Sequence, residues 1–545
     1  MVRKNACIYA STASLICFLV YVRALSCGFV NLDDPDYVLN NIAIRHLDGD
    51  FIIWAFTNPH AGFWMPLTWI SLALDYKLWG YNPFGYHLTN NMLHAVNTGL
   101  VVLVADRVMQ IEGQGLRVKR QGRYLYPATL LLAGLLWGLH PLRVESVAWV
   151  TERKDVLNGV FFLGSILCYL QYAKNQPLTG NKPALSTYYV LSLFFFTLSL
   201  MAKSVSVVLP VMLLVADWYP LNRFHKSRIL PVLAEKLPFL LCSGAMAAAT
   251  LYYAQQSRIL ASNDTLTIIH RLVISGNAIF EYCRLMIWPA GILPLHIIDI
   301  SKLPAYLLKT AIIAVGCIGI AYFRKSRWLV ATSLCFFIPL LPVLAFFQNG
   351  IQAFASRFTY IPSIVPSIAA ASLVTYMYVN ATGDLQRYLR AMIIILTSLI
   401  IFCSAIWTWN LIGIWRSTET VWSRIINVQP TGRAYKERGL YYFTTEKYRE
   451  AEDDLTRSIL FAKIAGFPGV YNLYAFRGVV LNKLEQHTKA VDDFSRAISL
   501  CPRPDFYFLR GRAQEALGKI EDSSADLRLA GPSDGTIDWE KGTCE

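Results

Sequence analysis

Two adjacent carboxylates, Asp33 and Asp34, follow the first long apolar stretch, within Phe29-Val30-Asn31-Leu32-Asp33-Asp34-Pro35-Asp36. Ionised groups are costly near hydrocarbon, about 2.5–3.5 kcal/mol each at the centre of a span. A pair at the mouth of a span therefore asks for a use. One carboxylate there can take the proton of an attacking hydroxyl. Arg153, Lys154, Lys203 and Arg357 suit an anionic lipid phosphate, which arginine can bind bidentately. Aromatic faces such as Trp64 and Trp69 suit the apolar side of a pyranose ring. A sugar carried on a lipid phosphate leaves behind a stable anion. Its transfer needs one base and a set of cations, but no general acid.

The elements that must position these groups are membrane helices. The chain has 545 residues, 55% hydrophobic and only 16% charged, too apolar for an ordinary soluble protein. Eleven apolar stretches, from 8–25 to 390–412, are expected to span. The stretch 271–288, interrupted by Glu281 and Arg284, is expected to be interfacial or re-entrant. The segment 8–25 resembles a signal peptide but is taken as a retained helix, since no small-x-small cleavage site follows it. After residue 412 basic and acidic residues number nineteen each, so the whole formal charge of +14 belongs to the membrane part. It clusters in short loops, at Arg117, Lys119, Arg120 and Arg123, at Arg223, Lys226 and Arg228, and at Arg324, Lys325 and Arg327. That pattern fits the positive-inside bias and argues against nucleic acid. It places the N-terminus in the cytoplasm. Loops 28–87, 140–155, 254–304 and 348–360 then fall on the outer face, as does everything after 412. The 11 cysteines contain no C-x-x-C pair and are read as core residues.

Residues 413–545 carry a repeat. Arg438-Gly439 recurs as Arg477-Gly478 and Arg510-Gly511, at intervals of 39 and 33 residues. These bracket the tetratricopeptide period of about 34. The expected fold is all-α: a polytopic helical bundle over 1–412, then a soluble tetratricopeptide solenoid with repeats near 433–466, 470–503 and 504–531. Such a solenoid binds polypeptides and carries no catalytic groups of its own.

Several motifs carry a family resemblance. They are the Phe29–Asp34 stretch, Trp64-x-Pro66-Leu67-Thr68-Trp69 and Tyr86-His87-Leu88-Thr89-Asn90. His140-Pro141-x-x-x-Glu145-Ser146-Val147-Ala148-Trp149, Glu152-Arg153-Lys154-Asp155 and Arg357-Phe358-Thr359-Tyr360-Ile361-Pro362 follow in order. The chain resembles bacterial relatives of the transmembrane and tetratricopeptide-repeat O-mannosyltransferases, glycosyltransferases of the GT-C class. The resemblance implies a polyprenyl-phosphate sugar donor, with mannose as the family's sugar, and a protein Ser or Thr acceptor. It makes Asp33 or Asp34 the base. Arg153, Lys154, Lys203 and Arg357 become phosphate ligands, and Trp64, His87, His140, Glu145 and Tyr360 become contacts to sugar or acceptor. The implied location is a bacterial inner membrane with the repeats in the periplasm. Ser356 stands where the family suggests an acid, so either a charge partner of Arg357 is lost or the donor binds differently.

Plainer readings stand beside these. The Asp33–Asp36 run could be a turn and helix cap. No metal is assigned, although paired aspartates could hold Mg²⁺ or Mn²⁺. His60, His87, His94 and His140 could serve helix ends, Arg153 and Lys154 could pair locally with Glu152 and Asp155, and Lys203 could snorkel. A lipid or polysaccharide transporter, or a non-catalytic scaffold acting through its repeats, are the rival functions.

Overall fold

A computed structural model describes residues 2–112, 125–175, 186–225, 229–256, 267–345, 352–467 and 469–533. The loop cations Arg117, Lys119, Arg120, Arg123, Lys226 and Arg228, and Pro468 in the long first repeat, lie outside the described residues. The chain divides into two compact units, Met1–Arg416 and Ser417–Glu545.

In the first unit each of the eleven apolar stretches is helical over most of its described residues, but not equally. Among the described residues six helices are long and apolar enough to cross a membrane: Ala6–Ser26, Pro83–Ile111, Val150–Asn175, Ile229–Tyr253, Ile300–Tyr322 and Gln386–Arg416. A seventh candidate is the pair Leu125–Gly138 and Pro141–Ala148, bent by 52°. The other four, Thr187–Ala202, Ser204–Trp218, Arg327–Val343 and Ile364–Asn380, have 10–17 residues. Among the described residues, six or seven of the eleven expected spans therefore meet the length of a bilayer's hydrocarbon core. The ambiguous stretch forms the helix Ile268–Ile287. Its Glu281 is bonded to Arg284 (2.7 Å) and to Lys309 (2.6 Å) of the neighbouring helix Leu303–Tyr322.

The bend at His140 frees backbone carbonyls, which hydrocarbon cannot satisfy. A polar stripe on the helix Pro83–Glu112 satisfies them. Asn90 Nδ2 donates to the carbonyls of Val147 (3.3 Å) and Trp149 (3.1 Å). His94 Nε2 bonds Gly138 O at 3.0 Å, and Asn97 Nδ2 donates to Val156 O at 2.7 Å. The stripe needs close approach. A Cβ on Gly138 would lie 2.6 Å from Thr98 Oγ1, so only glycine fits without a shift. Arg143, buried in the bend, donates to Thr359 O and Oγ1, both at 2.7 Å. It thereby fixes the turn that carries Arg357.

Arg223 is more than a loop charge. It joins Asp217, Glu235, Lys236 and Tyr169 in a buried ion network. Neutralised internally, this network ties the turn after Trp218 to two neighbouring helices.

The second unit opens with the helix Thr418–Val428, capped by a Ser417–Thr420 capping box. Three helix pairs follow: Gly432–Thr444 with Tyr448–Ile464, Val470–Lys483 with His487–Leu500, and Pro504–Ala516 with Ile520–Ala530. Each pair is held by one arginine bonded bidentately to an aspartate, Arg438 to Asp454, Arg477 to Asp493 and Arg510 to Asp526. The same guanidinium also reaches a hydroxyl on the preceding helix, at Ser423, Thr456 and Ser495. The repeated Arg-Gly is thus a staple, with glycine making room for the partner helix. Among the described residues nine cysteines are free thiols, whereas Cys501, buried in the core of the second unit as expected, is disulfide-bonded, so the expectation of no disulfide fails there.

Asp493→Ala strands Arg477 at a mostly buried position. The second unit is expected to lose about 3 kcal/mol, seen as a lower urea midpoint by circular dichroism of the full chain.

Candidate functional site

The two aspartates part company. After the first helix the chain turns through extended backbone into a short π-type turn, Pro35–Leu39, closed by Asn40 N donating to Pro35 O. Pro35 fits the first position of that turn because its missing N–H is not required there. Asp34, fully buried, faces inward. Its Oδ2 accepts from Val30 N at 2.8 Å, and its Oδ1 accepts from Thr151 N (3.1 Å) and Thr151 Oγ1 (2.5 Å). It clamps the acidic loop to the 149–152 turn. Burial raises its pKa to about 6, and the hydrogen bonds from Thr151 and Val30 hold it from going higher. Asp33 is partly exposed, and its carboxylate interacts electrostatically with Lys154, Arg357 and Tyr37. Of the two, only Asp33 is free to meet a ligand.

Lys154 and Arg357 belong to a cluster of three cations that Lys203 completes. Glu152 is their hub: its Oε1 lies 3.2 Å from Lys154 Nζ and 3.2 Å from Arg357 Nε, and its Oε2 lies 3.5 Å from Lys203 Nζ. Glu145 takes Arg357 Nη1 at 2.5 Å and the Arg357 backbone N at 3.1 Å. Asp155 pairs with Lys203 and accepts from Ser146 Oγ at 3.0 Å. The three carboxylates lie behind and the cations in front. Side-chain exposures are 1% for Glu152, 2% for Glu145 and 6% for Asp155, against 11–14% for Lys154, Arg357 and Lys203. Burial would lower the pKa of Arg357, but Glu145 and Glu152 raise it further, so it stays charged. Glu145 thus supplies the acidic partner expected at position 356.

Aromatic rings frame the cations. Lys154 Nζ lies 4.7 Å from the Tyr37 ring centroid, and Arg357 Cζ lies 4.8 Å from that of Phe358. A cavity opens at Lys203 and Arg357, walled by Phe162, Val208, Val343 and Ile361. Charge at one end and hydrocarbon along the sides suit an amphipathic anion.

Other expected site residues have structural duties. Arg153 is buried and bonded to Asp75, Asn90, Ser71 and the Tyr86 carbonyl, so it has no face for a phosphate. Tyr360 is buried, its hydroxyl bonded to His94 (2.8 Å) and Asn97 (2.9 Å). His140 bonds Met286 O and accepts from Leu142 N at the helix bend. His87 is fully buried in the helix Pro83–Glu112. Trp64 donates to Phe56 O at 2.8 Å, within the 49–64 segment and with no bond to the cation cluster. Glu145 holds Arg357 and is itself covered. Of the five residues expected at sugar or acceptor, His87, Glu145 and Tyr360 are thus buried, whereas Trp64 and His140 keep partial exposure.

Sequence reasoning assigned no role to Thr151, Tyr37, Trp149 or Asn97, and read His94 only as serving a helix end rather than as part of an Asn90–His94–Asn97 stripe. The stripe had a signal: polar residues at 87, 90, 94 and 97 recur on one helical face of an apolar segment. Among the described residues no group of three or more His, Cys, Asp or Glu side chains converges as a metal-binding set.

The chain is 28% identical over 242 residues to the human (Homo sapiens) protein O-mannosyl-transferase TMTC4, covering 41% of this chain and 31% of that protein. It is 33% identical over 210 residues to the Mus musculus TMTC4 protein, 35% and 26% of the two chains. It is 32% identical over 168 residues to the Drosophila melanogaster protein O-mannosyl-transferase Tmtc2, 29% and 16%. The chain therefore spans less than a third of the length of each of these relatives. No family model matches, and no solved structure does either.

The clamp has a pH signature. Asp34 has a folded pKa of about 6 against an ordinary 3.8. It favours the fold fully below the ordinary value, and that contribution is lost as pH rises through about 6. Asp34→Asn removes the titration. Wild type minus D34N thermal midpoints, measured in detergent, are expected to be more positive at pH 4 than at pH 7.

Proposed function

We propose that the chain is a membrane glycosyltransferase of the GT-C type that moves a sugar, mannose by likeness to its relatives, from a polyprenyl phosphate to a protein Ser or Thr hydroxyl. One observation carries this reading. A partly exposed carboxylate, Asp33, interacts with Lys154 and Arg357, which with Lys203 form a cluster whose own counter-charges are the more deeply buried Glu145, Glu152 and Asp155, beside an apolar cavity. Asp33 takes the proton of the acceptor hydroxyl as that oxygen attacks the anomeric carbon. The bond from that carbon to the donor phosphate oxygen breaks, and its electrons leave on the phosphate. Lys154, Lys203 and Arg357 hold the departing charge, which needs no proton. Glu145, Glu152 and Asp155 hold the cations in place before the donor arrives, so little is reorganised on binding. Asp34 sets the height of Asp33 through its bonds to Thr151.

The helix pairs after Ser417, read as tetratricopeptide repeats, recruit the acceptor polypeptide. The outer face, a bacterial periplasm, is the expected side for both site and repeats, with the N-terminus in the cytoplasm. The bonded Cys501, which suits an oxidising compartment, supports that side.

The test is transfer in proteoliposomes, from a polyprenyl-phosphate-linked mannose to a Ser/Thr peptide. Asp33→Asn is expected to lower kcat about 10²- to 10⁴-fold with little change in donor KM. Lys203→Ala is expected to act mainly on the donor. Arg153→Lys is expected to lower the yield of folded protein. Wild-type turnover by D33N would remove Asp33 as the base.

A further inference from the structure

The turn Gly413–Arg416, which follows the helix Gln386–Ile412 and precedes the second unit, touches both halves of the site. On one side the Arg416 carbonyl accepts from Gly28 N at 3.0 Å, five residues before Asp33. On the other, buried Trp415 stacks on Trp149, with ring centroids 5.3 Å apart and planes 19° from parallel. Over that same Trp149 ring lie Arg357 Cζ, at 5.5 Å, and Lys154 Nζ, at 5.8 Å. Two of the three donor-side cations therefore share one aromatic platform, and Trp415 backs it.

The platform has little else to orient it. Trp149 is buried, yet its Nε1 has no hydrogen-bond partner among the described residues. No bond to that ring nitrogen sets the angle of the indole, so its packing does, and its stacked partner is Trp415. An aromatic face attracts a cation only when it is presented to it. A tilted Trp149 would withdraw that attraction from Arg357 and Lys154 together.

We infer that Trp415 is a positioning residue, which acts through Trp149 to hold Lys154 and Arg357 for a phosphate ligand. This rests on the glycosyltransferase reading above. It makes donor binding depend on the turn from which the second unit departs. It also separates Trp415 from ordinary core packing. A packing role would change the amount of folded enzyme, whereas a positioning role changes affinity for one substrate.

The experiment compares full-length wild type, Trp415→Phe, Trp415→Leu and Trp415→Ala. Binding of a polyprenyl phosphate is measured in detergent, and KM is measured separately for the lipid donor and the peptide acceptor. Ala is expected to weaken polyprenyl-phosphate binding and raise donor KM about tenfold, with acceptor KM within about twofold. Phe, which still stacks, is expected to stay close to wild type. Leu fills volume without stacking and is expected to follow Ala, which keeps the test decisive if Ala fails to fold. Unchanged donor KM and unchanged binding in folded Leu or Ala variants would overturn the inference alone. A wild-type protein that neither binds polyprenyl phosphate nor transfers sugar would overturn the glycosyltransferase reading, and this inference with it.

Discussion

Glu152 among three cations is the contact on which the rest of the structure depends. A lysine or arginine at membrane level survives only with a partner, and here Lys154, Lys203 and Arg357 share this one carboxylate. A buried ion pair seldom adds net stability, because desolvation offsets the attraction. The cluster is therefore better understood as a cost borne for a purpose. Glu145 and Asp155 complete the balance, so the cations stand charged and fixed without a ligand. Their exposed sides are what remains available.

Holding that cluster requires a broken helix, and a broken helix in hydrocarbon requires donors for its freed carbonyls. Asn90, His94 and Asn97 meet that need, and Arg143 ties the 356–360 turn to the same break. Arg153 looked like a phosphate ligand but belongs to this frame, with its donors spent on Asp75, Asn90, Ser71 and Tyr86. Arg153 and Lys154 are neighbours in sequence, and at a helix start neighbours diverge by about 100°. One therefore turns into the bundle and the other out of it.

That divergence shows what the sequence could and could not tell. The apolar stretches, the repeated Arg-Gly and the acidic loop were legible, because hydropathy and periodicity are local properties. Lys154, Lys203 and Arg357 were legible as cations near one face. The split between Asp33 and Asp34 was not. It depends on Thr151, 117 positions away, whose amide and hydroxyl claim one carboxylate and leave the other. The partner of Arg357 was sought at position 356 and is Glu145, 212 positions away. The burial of His87 and Tyr360 and the bond of His140 to the Met286 carbonyl were equally hidden, since polar residues in an apolar segment suit a ligand or a backbone carbonyl alike. The helical spacing of the Asn90 stripe favoured the carbonyls.

The central claim is that the three cations form the phosphate site and Asp33 stands opposite it. Its most direct test is an experimental structure in a lipid nanodisc with a polyprenyl phosphate bound. The phosphate should lie within hydrogen-bond reach of Arg357 and Lys203, about 3 Å, with Asp33 facing it across an open gap and Arg153 still bonded to Asp75. A phosphate seated on Arg153, or far from Asp33, would contradict that assignment.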